Sequence, residues 1–551
     1  MSWYAYLFEA KSIQSFIFDS GKLRDVVGAS ELVDSLCGEP LDDALMTLGV
    51  TEQIRFSRRA GGAFYAFTEN SEAIERLATF WPLLVQQYAP ELDFDQAAGG
   101  GEDTLAAFDD AVAKLREVRS RVLVSLPQAG PRVHRSQRTG RPAVEVRRTQ
   151  DGDLELLDLT TLRQRRFYDN PPSNGLVVKL APQGCGLHDS HWPRDMESGT
   201  DSSFPFMGDT RYIAIMHADG NGLGQLLMGL REHIEKHDRN AFVEVFRNLS
   251  EGIENATRMA VQTAVQEVLL VNRDEETGLL PARPIVLGGD DLTILLRADL
   301  AMAFTRIFLS AFEKKSREAF TKVKATFGIQ SLPGQITACA GIAYIKASQP
   351  FYLAARLAEE ITASVKRRAK SLNREPVPSS LGFHRVTSAM IDDYEAVVAK
   401  ELTTGPRDNR YRHTLGAYAL ARTQGLPALD DLLTLQELLE DPAMSRGPTR
   451  QLLTLIGQGP DQAQIRYQRW RTLMEDARNG KTGHLQRFDD SLKALLGTVE
   501  KDLPYCKLAE ARSDDPWAPG YQGPLGDLCA LIAVKSAVPE SIEGKDLEKV
   551  A

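Results

Sequence analysis

The sequence predicts an α+β protein in which two related ferredoxin-like domains precede an α-helical C-terminal domain. The first observation is the order of apolar strands and amphipathic helices near the N-terminus, which follows the split βαβ arrangement of a ferredoxin-like sheet. The second is the return of that order about two hundred residues later, which indicates an internal duplication. The third is the dominance of helical patterns from about residue 392 onward.

Short apolar runs predict the buried strands of each copy, and apolar residues at helical spacing predict the helices. The first copy has predicted strands at 3–8, 53–56, 63–67 and 92–94, and predicted helices at 13–18, 29–48 and 72–88. The second has predicted strands at 212–217, 285–287, 292–296 and 336–345, and predicted helices at 223–230, 242–271, 300–325 and 351–372. Both copies place a Gly-Gly pair at the tip of a hairpin.

The elements predict domains at 1–97, 205–390 and 391–551, with a linker or insertion at 98–204. Part of the insertion is rich in arginine, with nine of them between residues 132 and 166: Arg132, Arg135, Arg138, Arg141, Arg147, Arg148, Arg163, Arg165 and Arg166. Two interpretations of them stay open, a solvated hairpin and an arm that contacts phosphates. The C-terminal domain shows no residue cluster with obvious chemistry.

Composition narrows the classes of protein. The net charge of −10 argues against a surface that is basic throughout, although a local basic patch stays open. Five cysteines without a C-x-x-C pair are typical of a cytosolic protein and not of a disulfide framework. The N-terminal residues do not have the pattern of a secretory signal. The sequence also has no run of about 18 apolar residues, which a membrane-spanning helix would need. We therefore expect a cytoplasmic protein without a membrane partner.

Three aspartates stand where predicted strands end. Asp219 follows the opening strand of the second copy, and Asp290 and Asp291 follow the Gly-Gly pair of its hairpin. If the three carboxylates converge, they stay ionised together only with a cation among them. We predict them as catalytic residues and as ligands of two Mg²⁺ or Mn²⁺ ions. Read singly, Gly-Gly-Asp-Asp is also a good hairpin turn, and Asp-Gly-Asn-Gly is also a loop or part of a calcium site.

Small residues beside these acids predict a nucleotide site. Glycine lets a backbone approach a triphosphate closely, and the glycines after Asp219 precede a predicted helix N-terminus. The predicted nucleotide-binding set is Gly220, Asn221, Gly222, Gly288 and Gly289. Carboxylate-held Mg²⁺ that also contacts phosphate oxygens is the arrangement used for phosphoryl transfer.

A basic segment ends the last predicted helix of the second copy. Lys366 and Lys370 are four residues apart, so they share a face of that helix. We predict that they bind the triphosphate, because an ammonium group suits phosphate well. The alternative is a solvated basic face.

Together these motifs resemble a known family. The segments Asp219-Gly220-Asn221, Gly288-Gly289-Asp290-Asp291 and Arg368-Ala369-Lys370 are similar to the second palm domain of the large cyclase subunit of type III CRISPR effectors, the Csm and Cmr classes. Residues 13–18, 22–25 and 28–30 are similar to the first palm of the same subunit. The resemblance covers roughly residues 1–95 and 205–390.

The resemblance implies a function. In that family two palms pack face to face, two ATP molecules bind between them, and the active palm makes cyclic oligoadenylate once target RNA is bound. It therefore implies an Mg²⁺-dependent nucleotidyltransferase of antiviral defence with ATP as its substrate. It also implies guide RNA, target RNA and other effector subunits as partners.

The first copy carries substitutions at the metal positions. Aligning residues 4–10 with 212–218 puts Lys11 in the place of Asp219, and aligning the hairpins puts Ala63 and Phe64 in the places of Asp290 and Asp291. A lysine and two uncharged side chains do not bind Mg²⁺. We therefore predict a degenerate first palm and an active second palm.

The chain also departs from the family's pattern. We find neither the HD-type nuclease motifs nor the cysteine-rich zinc element, although Cys185, His188 and His191 could offer three zinc ligands without an evident fourth. Three alternatives stay open: a synthase of cyclic nucleotides that works outside an RNA-guided complex, a diguanylate cyclase, and a non-catalytic scaffold subunit. The diguanylate reading is weaker, because those enzymes normally follow Gly-Gly-Asp with Glu-Phe, whereas Asp291-Leu292 stands here.

Overall fold

The computed structural model describes residues 2–120, 130–148, 152–173, 175–196, 203–206, 211–387, 393–405, 410–441, 447–475, 482–508 and 520–535. Contacts within the chain define two compact units, each assembled from segments that are distant in sequence. The first unit comprises residues 1–205, 222–295 and 311–336, and the second comprises residues 206–221, 296–310 and 337–551.

The N-terminal copy, here called the first palm, is a four-stranded antiparallel sheet with helices. Its strands are β1 (Trp3–Ala10), β2 (Arg55–Ala60), β3 (Ala63–Thr68) and β4 (Phe94–Gly101), and its helices are α1 (Ile13–Phe18), α2 (Leu23–Leu36), α3 (Glu39–Leu48), α4 (Ser71–Tyr88) and α5 (Thr104–Arg119). The strand order β2-β3-β1-β4 is that of a ferredoxin-like sheet, as predicted. Phe8 and Phe64 stack at 5.5 Å in its core, and Trp81 packs edge-on against both.

The predicted strand at 92–94 is wrong in position, because β4 begins at Phe94 and ends in a run of three glycines. A Cβ atom on Gly99 would lie 2.3 Å from the Ala111 nitrogen, and one on Gly101 would lie 2.5 Å from the Ala107 nitrogen. These glycines therefore let α5 pack directly on the strand. The sequence predicts a linker from residue 98 onward, whereas the glycines belong to β4 and the helix α5 follows them.

The arginine-rich insertion forms a hairpin and two helices. Its elements are β5 (Ala143–Arg148), β6 (Leu154–Asp158), α6 (Leu159–Asp169) and α7 (Leu176–Leu180). Arg165 is buried and donates to Asp25 of α2 at 2.7 Å and to Glu155 of β6 at 2.7 Å. Some of the arginines therefore neutralise carboxylates of the chain itself, and those hydrogen bonds hold the pKa of Glu155 well below its usual range.

The second copy, the second palm, repeats the topology of the first. Its strands are β7 (Tyr212–Gly220), β8 (Ala282–Gly288), β9 (Asp291–Arg297), β10 (Ala338–Lys346) and β11 (Ser380–Arg385), and its helices are α8 (Leu223–His237), α9 (Phe242–Ala264), α10 (Ala298–Phe327) and α11 (Phe351–Lys370). The order β10-β7-β9-β8 corresponds to β4-β1-β3-β2 of the first palm, which supports the predicted duplication. The helix predicted at 242–271 ends at Ala264 and continues as a π-helical turn, Val265–Leu269.

The C-terminal region is mainly helical, as predicted, with α12 (Tyr394–Lys400), α13 (Leu429–Glu440), α14 (Gly447–Gln458), α15 (Pro460–Glu475), α16 (Thr482–Leu496) and α17 (Leu525–Lys535). Short strands, which were not predicted, accompany them: β12 (Thr403–Thr404), β13 (Tyr411–Arg412), β14 (Tyr418–Ala419), β15 (Cys506–Lys507) and β16 (Tyr521–Gln522). β14 extends the second palm sheet beside β11. In the described part of the chain, no helix has both the length and the hydropathy that crossing a bilayer requires.

A buried histidine in this region predicts a pH-dependent stability. Both ring nitrogens of His413 lie near hydroxyl groups, 2.7 Å from Thr404 Oγ1 and 2.6 Å from Tyr505 Oη, and burial lowers the pKa of His413 to about 4. As the pH falls, the histidine of the unfolded chain is protonated at a higher pH than that of the folded chain. The free energy of unfolding therefore decreases as the pH falls below about 6.5. We expect a loss of roughly 2 kcal/mol from this group between pH 7 and pH 4.5.

Urea unfolding of the wild type and of His413→Gln at the two pH values measures this loss. The difference in the free energy of unfolding between pH 7 and pH 4.5 should be smaller in the variant by that amount. An equal pH dependence in both proteins would contradict the assignment.

Candidate active site

Asp219, Asp290 and Asp291 come together in the structure. Asp219 lies near the end of β7, Asp290 in the turn after β8, and Asp291 at the start of β9, the neighbour of β7 in the sheet. One carboxylate oxygen of each lies within 4.8 Å of those of the other two, and all three residues are partly exposed. Among the described residues this is the one such group of three that could hold a metal ion. The three carboxylates therefore lie close together, and their roles in catalysis and metal binding stay predictions.

The position of Asp219 is set by the pairing of β7 with β10, in which Asp219 lies opposite Cys339. Beyond it, the Asn221 backbone nitrogen donates to the Thr337 carbonyl at 2.7 Å, and its side-chain nitrogen donates to Thr337 Oγ1 at 3.0 Å. Asn221 is only 4% exposed. In this structure the residue that we predicted to bind a nucleotide anchors the end of the strand.

Lys366 contacts the acidic group. Its Nζ forms an ion pair with Asp219 and donates to the Gly220 carbonyl at 2.5 Å. Thr362, one turn earlier on α11, donates to the His217 carbonyl at 3.1 Å and so joins the helix to β7. Lys370, one turn later, is exposed. Of the two predicted lysines, only Lys366 is therefore seen to contact the predicted metal site.

Burial controls the charge of two neighbours of Asp219. It lowers the pKa of His217 to about 4, so this imidazole is neutral near pH 7. It raises the pKa of the Cys339 thiol to about 11, so the group stays protonated and is a poor metal ligand. The charged groups at this strand end are therefore the carboxylates and the Lys366 ammonium.

The glycines of the second hairpin tip have specific structural roles. Gly289 has φ +56°, a left-handed conformation, and its carbonyl accepts a hydrogen bond from Thr257 Oγ1 of α9 at 2.6 Å. A Cβ atom on Gly288 would lie 3.4 Å from the Cα of Gly61, which belongs to the tip of the first palm. The two Gly-Gly tips therefore lie against each other. The role of Thr257 was not predicted, since a threonine inside a helix gives no sequence signal.

A cavity of about 710 Å³ adjoins Gly289 and Asp290. Elements of both palms line it, with apolar side chains and a set of arginines: Arg55, Arg58, Arg59, Arg116, Arg231 and Arg247. Some arginines are engaged, since Arg247 donates to the Phe56 carbonyl at 2.6 Å and Arg231 pairs with Asp109 at 2.7 Å. The cavity therefore combines an apolar lining with positive charge. Sequence reasoning missed these arginines, although three of them lie close together on β2.

In the first palm, other residues stand at the positions aligned with Asp219, Asp290 and Asp291. Lys11 forms an ion pair with Asp95 at 3.0 Å, and Ala63 and Phe64 are buried. Lys11, Ala63 and Phe64 offer no carboxylate ligand, and the lack of a metal site in that copy stays a prediction. The candidate zinc ligands form no group of three in the described residues; instead, the His188 backbone nitrogen donates to His191 Nδ1 at 2.9 Å.

Comparison with protein families matches residues 212–375 to the family described as Cas10/Cmr2, second palm domain. None of the curated proteins compared with the chain matches it. The match runs from β7 past the end of α11 and so includes all three aspartates and both lysines. The predicted resemblance is thus confirmed for the second palm domain of this family.

Solved structures similar to this chain include two Csm1–Csm4 cassettes and one Csm1. The Csm1–Csm4 cassette in complex with cA4 is 14% identical with a TM-score of 0.48, and the match covers 98% of this chain and 70% of that chain. The Csm1–Csm4 cassette in complex with one ATP is 16% identical with a TM-score of 0.43, again over 98% and 70%. Csm1 in T. onnurineus is 15% identical with a TM-score of 0.36, over 80% and 62%.

Proposed function

We propose that this chain, whose second palm is of the Cas10/Cmr2 type, is a nucleotidyltransferase that condenses ATP into cyclic oligoadenylate in a type III CRISPR-like antiviral system. The observation that carries the proposal is the group of Asp219, Asp290 and Asp291 inside the matched segment. We also propose that it works with guide RNA and other effector subunits, and that target RNA activates it.

The family implies a divalent metal, and the donor set fits one. Three carboxylates whose ligand atoms lie within 4.8 Å of one another form a hard, all-oxygen set of the kind that Mg²⁺ and Mn²⁺ prefer. Metal ions held there would supply charge neutralisation at the phosphates and activation of the attacking hydroxyl. The partial exposure of all three side chains leaves room for phosphate oxygens.

Other residues of the chain would position the aspartates and bind the nucleotides. The Lys366 ammonium holds one oxygen of Asp219 and adds positive charge beside the site. The arginines and apolar side chains of the cavity suit a triphosphate and a base, respectively. Because the first palm contributes part of that lining, we propose that it presents the second nucleotide. Holding both nucleotides in one site converts a bimolecular encounter into a positioned reaction.

The test is incubation of the purified full chain with labelled ATP or GTP and Mg²⁺, with and without guide RNA, target RNA and the other effector subunits. The proposal predicts a cyclic product from ATP that requires the RNAs. Product without RNA would indicate a standalone synthase, and a cyclic dinucleotide from GTP would indicate a diguanylate cyclase. No product under any condition would favour a scaffold subunit and contradict the proposal.

Lys366→Met should lower the rate of product formation about tenfold, because it removes the cation beside Asp219 while keeping a chain of similar length. The rate at saturating ATP and the melting temperature are the measurements. Arg367→Met is the matched control: its side chain is 67% exposed and pairs with the exposed Glu395. Equal activity of Lys366→Met and the control would exclude a role for Lys366.

A further inference from the structure

The C-terminal region contacts the helix that carries Lys366. Arg368 follows Lys366 by two residues on α11, and its Nη1 donates to the Leu415 carbonyl. The backbone beside that carbonyl lies close to the guanidinium, since a Cβ atom on Gly416 would be 3.6 Å from Arg368 Nη1. Arg368 is therefore in direct contact with the segment 413–416.

The segment 413–416 is itself held by the C-terminal helix α17 and the strand before it. Asp527 of α17, 4% exposed, accepts from the Leu415 nitrogen at 2.9 Å and from the Tyr418 hydroxyl. Gln522 Nε2 donates to the Thr414 carbonyl at 2.7 Å, and the Gly526 nitrogen donates to the His413 carbonyl at 2.8 Å. The carbonyl that Arg368 contacts therefore belongs to a fixed segment of backbone.

On its other side α11 packs closely on the strands of the site. A Cβ atom on Gly341 of β10 would lie 2.2 Å from the Ala358 carbonyl oxygen of α11, so helix and strand are in backbone contact. Thr362 joins the helix to β7, and Lys366 ends at Asp219 and the Gly220 carbonyl. A small shift of α11 would therefore move the Lys366 ammonium relative to Asp219.

Packing alone does not explain why an arginine stands at position 368. Burial lowers the pKa of its guanidinium, which means that the charged form is held in place against a desolvation cost. An apolar side chain would fill the same space without that cost. A partly buried guanidinium is better explained by the directional hydrogen bond that it makes.

We propose that Arg368 is a positioning residue, which fixes α11 to the C-terminal region through the Leu415 carbonyl and thereby places Lys366 on Asp219. The C-terminal region would then contribute to the reaction without touching the nucleotide. This inference uses the proposed function for its activity readout, and a second readout is independent of it.

A double-mutant cycle tests the proposal. Arg368→Met should lower product formation about tenfold in the wild-type background and less than twofold in the Lys366→Met background, because it acts through that lysine. Arg368→Lys, which keeps a donor for the Leu415 carbonyl, should restore part of the rate. Arg367→Met is again the control. Losses that multiply in the double variant, or no loss in Arg368→Met, would overturn the proposal.

The second readout does not require activity. Reductive ¹³C-methylation of the full chain labels lysines, and the Lys366 signal is identified by its absence from Lys366→Arg. The chemical shift of that signal should change in Asp219→Asn and in Arg368→Met, but not in Arg367→Met. An unchanged shift in Arg368→Met would overturn the positioning role even in an active protein. A changed shift in a protein without product would support the positioning role and contradict the proposed function.

Discussion

Replacing Asp290 and Asp291 together with asparagine is expected to lower product formation by about a thousandfold. The substitution removes two of the three negative charges of the acidic group, and neutral amides are much weaker ligands for Mg²⁺. Both residues are partly exposed at a hairpin tip, so the melting temperature should change little. Rates from labelled ATP and thermal unfolding of the same samples are the measurements.

Asp430→Asn is a suitable control, because Asp430 is exposed and pairs only at the surface with Arg306. Asp219→Asn should cause a loss comparable to that of the double variant. Mn²⁺ titration should detect a site in the wild type and none in the double variant. Undiminished product from the double variant would show that the reaction takes place elsewhere in the chain.

Gly28→Ala should destabilise the protein by about 3 kcal/mol. Gly28 lies in α2, and a Cβ atom there would be 1.9 Å from the Gln164 carbonyl oxygen and 3.1 Å from the Tyr168 nitrogen, both of α6. Two backbones would have to separate, since no flexible side chain can move aside instead. The free energy of unfolding in urea measures the effect.

Gly229→Ala is the matched control for this substitution. Gly229 also lies inside a helix, α8, but nothing lies within 4 Å of its added Cβ atom. The control should be neutral or should stabilise the protein by up to about 1 kcal/mol through helix propensity. If both variants lost the same stability, the close approach of α2 and α6 would not be the cause.

The elements that the sequence predicts well are those with a local signal. β1 and β3 are continuous apolar runs, and α4 has apolar residues at helical spacing with Asn70 capping its N-terminus. The acidic group was also predictable, because aspartates at the ends of adjacent strands meet at one edge of a sheet. In these elements and in the acidic group, a signal in the local sequence is enough to predict the structure.

The features that sequence reasoning missed depend on contacts between distant segments. α5 packs on glycines that look like a linker, and Thr257 matters only because α9 passes under the carbonyl of Gly289. The arginines of β2 become cavity residues only because α8 and α9 lie across from them. Such roles depend on which elements contact each other in the folded chain. No local pattern in one sequence specifies those contacts.

The contact between Gly61 and Gly288 sets how closely the two hairpin tips approach each other. Neither residue has a Cβ atom, so the spacing of the two tips is that of bare backbones. Side chains of increasing size at position 288, where φ is not positive, would act as wedges of graded thickness. A series of alanine, serine and valine at that position would therefore move the two tips apart in steps.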